Sequence, residues 1–176
     1  MNNMLRFASL TLFVLVGCNE ASIPLGPPES APTDQQLVGY WQIEDPDSEN
    51  LDGVEYLVIL PFNENEYLAS FTSDQPIPAD DLQHMRVFLS DVGPHMFANV
   101  QLLSTEQDEG FFIYQYEIDS SGLLTLKHVD HDMDDITTSE ALRTFVSDVV
   151  ARQDFDKDDI LTFRKVELAQ STRHKN

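Results

Sequence analysis

Cysteine is nearly absent: Cys18 is the only one among 176 residues. An intramolecular disulfide and a cysteine-rich zinc site are therefore excluded. Cations are scarce too, with 10 Lys and Arg against 31 Asp and Glu, a formal charge of −21. Such a chain is repelled by phosphate and offers few cations to replace counterions, so nucleic acid is not expected as a partner. No phosphate-binding glycine loop exists among the seven glycines, and no serine sits in a Gly-x-Ser-x-Gly elbow. Paired carboxylates carry no information where 31 acids make some pairing inevitable. The chain is thus expected to be non-catalytic and to need no cofactor.

Hydrophobic residues make up 41% of the chain and aromatics 10%, enough for the packed core of one domain. The first segment is an address. Arg6 is the only charge before an apolar run from Phe7 to Gly17, eleven residues. A membrane span needs roughly 20. A positive start, a short apolar stretch and a small residue before a cut describe a secretory signal peptide over 1–17. The tetrad Leu15-Val16-Gly17-Cys18 resembles the lipobox of bacterial lipoproteins. That resemblance implies cleavage after Gly17, acyl chains on Cys18 and membrane attachment through them. Asn19, where an Asp commonly retains such proteins in the inner membrane, makes the outer membrane the expected destination. A Gram-positive source would put the anchor on the outer face of the plasma membrane. Losing Arg6 leaves nine cations against 31 acids, a mature charge of −22. Residues 18–36 hold the lipidated cysteine and then Pro24, Pro27, Pro28 and Pro32. That composition predicts an extended tether with no core of its own.

Residues 37–168 read mostly as strands. Expected strands cover 37–44, 54–62, 66–72, 85–90, 96–102, 111–118, 123–129 and 160–166, with turn residues between several of them. Met96, Ala98, Val100 and Leu102 alternate with Phe97, Asn99 and Gln101, the period of a half-buried strand. One segment has another period. Ala141, Leu142, Phe145, Val146, Val149 and Val150 share a helical face. Thr137 and Glu140 have capping-box spacing at its start. The polar tail 169–176 is expected to fray.

Eight strands in hairpin order predict a mainly β fold, an antiparallel up-and-down barrel with one helix before the last strand. The opening Gly39-Tyr40-Trp41 resembles the Gly-x-Trp start of lipocalins and their bacterial relatives. The resemblance spans roughly 37–168 and implies that Trp41 closes one end of a lipocalin-like barrel. The family's later arginine signature and its disulfide are missing here. A lumen would be lined by residues such as Phe71, Leu89, Val100, Tyr114 and Leu126.

Two acidic runs flank the helix. Asp130, Asp132, Asp134 and Asp135 surround His131, and Asp154, Asp156, Asp158 and Asp159 surround Lys157. Both fail the EF-hand pattern, with Asp at the sixth position and Ala141 or Lys165 at the twelfth. Solvated loops are expected, and no metal site is assigned. His128 shares a strand face with Leu124 and Leu126, whereas His131 does not, so the two cannot converge on a metal as strand ligands. His95, after Gly93-Pro94, is expected at a turn or rim.

Two functions fit this pattern. One is a membrane-anchored binding module for a small apolar ligand. The other is a barrel with a filled core whose surface meets an envelope protein, a basic one given the charge.

Overall fold

In the computed structural model the described residues are 20–44, 55–73, 83–103, 110–155 and 160–166. Residues 1–17, where a signal peptide is expected, Cys18, Asn19, residues 45–54, Asp156, Asp158, Asp159 and the tail 169–176 lie outside them.

The chain is a closed antiparallel barrel in which each strand pairs with its sequence neighbour and the last returns to the first. The strands are β1 (Gly39–Ile43), β2 (Tyr56–Pro61), β3 (Glu66–Thr72), β4 (His84–Val92), β5 (His95–Leu102), β6 (Phe112–Ile118), β7 (Leu123–His128) and β8 (Ile160–Val166). A single helix, α1 (Ser139–Arg152), precedes β8. The expected fold class is the one observed, mainly β with one late helix.

Closure follows from alternation. Residues that pair across neighbouring strands point to the same side of the sheet, so one register fixes the inner face for the whole barrel. Leu57 lies opposite Phe71, Val87 opposite Val100, Ala98 opposite Tyr114, and Leu126 opposite Leu161. Together with Trp41, Ile43, Tyr67, Leu89, Tyr116, Leu124 and Phe163 they form one apolar cluster inside the barrel. The outer face carries Gln42, Ser70, Arg86, Thr125 and Arg164, together with apolar Val58, Leu60 and Leu68, and with Phe97 and Ile113 in the outer cluster.

A second cluster lies outside the barrel. Leu142, Val146 and Val149 of α1 pack over Val92, Phe97 and Ile113, with Val129 and Met133 beside them. The helix therefore covers the β4–β6 side. Its cap is Thr138, whose backbone is extended and whose Oγ1 accepts from the Ala141 N–H at 3.2 Å. Thr137 is thus not the cap and the expected capping box with Glu140 does not form. The true cap is one residue on, so the third helical position is Ala141, which has no carboxylate. Ala141 is also exposed rather than part of the apolar face. The helix stops at Gln153, in the left-handed region at φ 55°, whose N–H reaches the carbonyls of Val149 and Val150.

Residues 20–37 correct the tether reading. They form a strap along the outside of the barrel. Ala21 exchanges both backbone hydrogen bonds with Phe111, at 2.9 and 2.8 Å. Leu25 is fully buried in the outer cluster. Its N–H donates to Asn99 Oδ1 at 2.8 Å, and the Asn99 amide donates in turn to the Phe88 carbonyl and Ser90 Oγ. Ser139 Oγ donates to the Pro24 carbonyl at 2.8 Å. Farther on, Asn65 Nδ2 donates to the Ala31 carbonyl at 2.9 Å. Proline excludes this stretch from a ladder interior but not from an outer surface, where side-chain donors and acceptors satisfy its backbone.

Candidate binding site

The two ends of the barrel differ in their connections. The short turns 62–65, 93–94 and 119–122 lie at one end, here the floor. The longer connections after β1, β3, β5 and β7 lie at the other, here the mouth.

The strap closes the floor. After Ala31 it crosses beneath the barrel and enters β1 at Gly39. Leu37 is buried in the inner cluster, and the Trp41 Nε1–H donates to its carbonyl at 2.7 Å. Lys165 of β8 lies over the Trp41 ring, its ammonium 5.0 Å from the centroid, and donates to the Gln36 carbonyl at 2.6 Å. Gly39 is required here. Its φ is +144°, and a Cβ would stand 2.9 Å from Lys165 Cε. Asp34 meets two tyrosines from inside the barrel. Its N–H donates to the Tyr67 hydroxyl at 2.6 Å, and the Tyr116 hydroxyl donates to Asp34 Oδ2 at 3.4 Å. Burial, then the Asp34 charge, pushes the Tyr116 phenol far up, and burial raises Tyr67 as well. Both stay neutral donors in the working range, so this cluster seals rather than reacts.

The inner face toward the mouth is different. Phe71, Val100, Leu102, Tyr114, Leu126 and Leu161 belong to the inner cluster yet remain only half-buried. They describe an apolar wall that retains access to solvent. Of the five residues expected to line a lumen, Phe71, Val100, Tyr114 and Leu126 lie on this wall. Leu89 also faces inward, but it is 1% exposed and belongs to the packed part.

One polar side chain stands in that wall. His128 ends β7 opposite Tyr114, two residues beyond Leu126, which puts it on the inner face. Its ring stacks on Tyr114 with centroids 4.9 Å apart and approaches Phe112 at 5.9 Å. Its Nε2 is buried and has no hydrogen-bond partner. Burial pushes its pKa below the usual histidine value, outweighing the attraction of Asp130. A neutral imidazole with a free buried nitrogen can accept or donate one hydrogen bond to whatever fills the space beside it. Sequence reading weighed His128 only as a metal ligand. The even spacing from Leu124 and Leu126 already put it inside; the missing partner was invisible.

His131 lies outside. Its Nε2 is 3.0 Å from the Asp154 carbonyl oxygen, and its ring meets Phe145 edge-on. Asp132 Oδ1 accepts from the Asp134 N–H, a local loop turn. His95 begins β5 after the Gly93-Pro94 turn, with Nδ1 3.0 Å from Gln115 Nε2. Among the described residues no three His, Cys, Asp or Glu side chains gather to hold a metal ion. Glu66, on the outer face, is nearly buried and paired with Arg86, whose hydrogen bonds hold its carboxyl below the usual range.

No family model matches the chain, and neither a curated protein nor a solved structure matches it.

Proposed function

We propose that this chain is an envelope lipoprotein, held in the membrane by acyl chains on Cys18, whose lipocalin-like barrel binds a small apolar ligand. Outer-membrane attachment follows from Asn19 after the cysteine. The role is binding rather than catalysis. The observation that carries the reading is the half-buried apolar wall of Phe71, Val100, Leu102, Tyr114, Leu126 and Leu161 inside a barrel sealed at its floor. Barrels of this strand number either fill with side chains or hold one small ligand, and ligand sites are apolar with a few convergent polar groups. His128 Nε2 is the polar group here.

The test is native mass spectrometry of residues 19–176 mixed with envelope lipid extract. A discrete added mass is expected, and Leu126→Trp abolishes it by filling the wall. A bare chain under all conditions overturns the reading. A second reading, docking of an envelope protein, is favoured by one observation. Tyr40, Leu60 and Phe62 are exposed on the side opposite the helix, at 37, 43 and 61%. Capture of a basic envelope protein at low salt, lost on Leu60→Glu, would support it.

A further inference from the structure

We propose that the mouth end of the barrel, where the strap begins, faces the bilayer that holds Cys18. This rests on the anchor and the open wall proposed above. It adds the orientation, and the strap supplies it.

The strap begins at the mouth. Glu20 Oε2 accepts from the Gly110 N–H at 2.8 Å, and Ala21 pairs with Phe111. Gly110 and Phe111 directly precede β6, on the mouth side of that strand. The approach is close: a Cβ on Gly110 would stand 2.7 Å from the Ala21 carbonyl oxygen and 2.9 Å from Glu20 Cβ. From there the chain descends past Asn99 to Asn65 and Tyr67 at the floor. The N-terminal side of the strap is therefore fixed at the mouth by three hydrogen bonds, one between Glu20 and Gly110 and two between Ala21 and Phe111.

Covalent reach then decides the geometry. Cys18 precedes Glu20 by two residues, and two extended residues span at most about 7 Å. The floor is farther. Eight residues of β5 run about 27 Å along the strand, or about 20 Å along a barrel axis tilted by the usual angle. Acyl chains on Cys18 can thus hold the mouth at the headgroups, and they cannot bring the floor there without detaching the strap. The rim suits this contact. Leu103, just after β5, is 50% exposed, and the half-buried apolar wall opens beside it.

Charge opposes this approach where lipids are anionic, because all four connections at the mouth end are acid-rich in sequence, Asp130, Asp132, Asp134 and Asp135 after β7 among them. Each surface charge is worth about 1 kcal/mol near such a membrane, and the effect decays within about a Debye length. Several acyl chains at about 0.8 kcal/mol per buried methylene outweigh it.

The experiment does not depend on cellular lipidation, because Cys18 is the only thiol. The chain from residue 18 onward, which keeps every described residue, is coupled through Cys18 to maleimide lipid in phosphatidylcholine vesicles. Some vesicles also carry a nitroxide on the lipid headgroup. Emission is compared for Leu103→Trp at the mouth, Phe62→Trp at the floor, and the unchanged chain with Trp41 alone. Circular dichroism and the denaturation midpoint of each variant exclude misfolding as the cause. The expected result is loss of most of the added emission in Leu103→Trp and almost none in Phe62→Trp. Equal loss in both, or greater loss in Phe62→Trp, overturns the orientation. Such a result would leave ligand binding by the soluble chain unaffected, so the two proposals fail separately.

Discussion

The floor and the mouth of this barrel are built from the same eight strands and the same inward alternation, yet they are filled differently. At the floor, Trp41, Tyr67, Tyr116 and Phe163 are buried, and the strap adds Leu37 and Asp34 from below. Toward the mouth Phe71, Val100, Tyr114, Leu126 and Leu161 stay half-buried and His128 keeps an unpartnered nitrogen, although Ile43, Leu57 and Met85 near that end are buried and Met96 and Ile118 near the floor are half-buried. Alternation alone fixes which residues face inward. What lies across the end of the barrel fixes whether that interior is solid.

Substitution should expose that division most strongly at Trp41. Trp41→Ala removes a fully buried ring, its hydrogen bond to Leu37 and its contact with Lys165. A loss of about 3–5 kcal/mol is expected. Leu126→Ala, on the half-buried wall, should cost clearly less. Urea denaturation of both variants measures the contrast, and equal losses would mean that the mouth is packed as tightly as the floor.

Asn99 offers a smaller effect that tests whether the strap belongs to the fold. Asn99→Ala leaves the Leu25 N–H without its acceptor and removes both amide donations. A cost of about 1–3 kcal/mol is expected for an unsatisfied buried group. Limited proteolysis should then cut within residues 20–37 before the barrel strands. A strap that stays protected would show that packing of Ala21 and Leu25 holds it without Asn99.

The smallest effect concerns pH at the mouth. Burial lowers the His128 pKa in the folded state. Below about 6.5, the ordinary histidine value, the unfolded chain binds a proton that the folded chain resists. Stability therefore falls as pH drops from that value toward the folded pKa and levels off beneath it. His128→Gln should flatten this part of the stability profile, read as denaturation midpoints across pH. A profile unchanged by the substitution would mean that His128 protonates freely and is not held in the apolar wall. Glu66 acts lower on the scale. Its lowered pKa gives stability that is lost only as pH falls through the folded value, below 4.5, so the two windows are separable.

The fold was largely legible because a barrel is written in a period of two. The expected bounds of 66–72 and 160–166 coincide with β3 and β8, and the other strands differ at their ends. Local chemistry was harder to place. Thr137 and Thr138 are adjacent hydroxyls, and only the backbone decides which one caps α1. Four prolines made the segment before β1 look unstructured, because proline reports what a stretch cannot pair with and not what it can lie against. By alternation Lys165 shares a face with Leu161 and Phe163. Its place over Trp41 depends on β1–β8 closure, a pairing across more than 120 residues.

The amino-acid sequence by itself determined the acidic balance, the strand count, the late helix and the alternation that selects the inward-facing residues. These are properties of composition and short-range period, which a linear chain carries openly. Only the tertiary structure decided which end is sealed, that residues 20–37 bind the barrel wall, and that His128 Nε2 has no partner. Those depend on contacts between residues far apart in the chain, such as Leu25 with Asn99 and Asp34 with Tyr116. Each such contact forms only after the barrel has closed and brought its partners within hydrogen-bond reach.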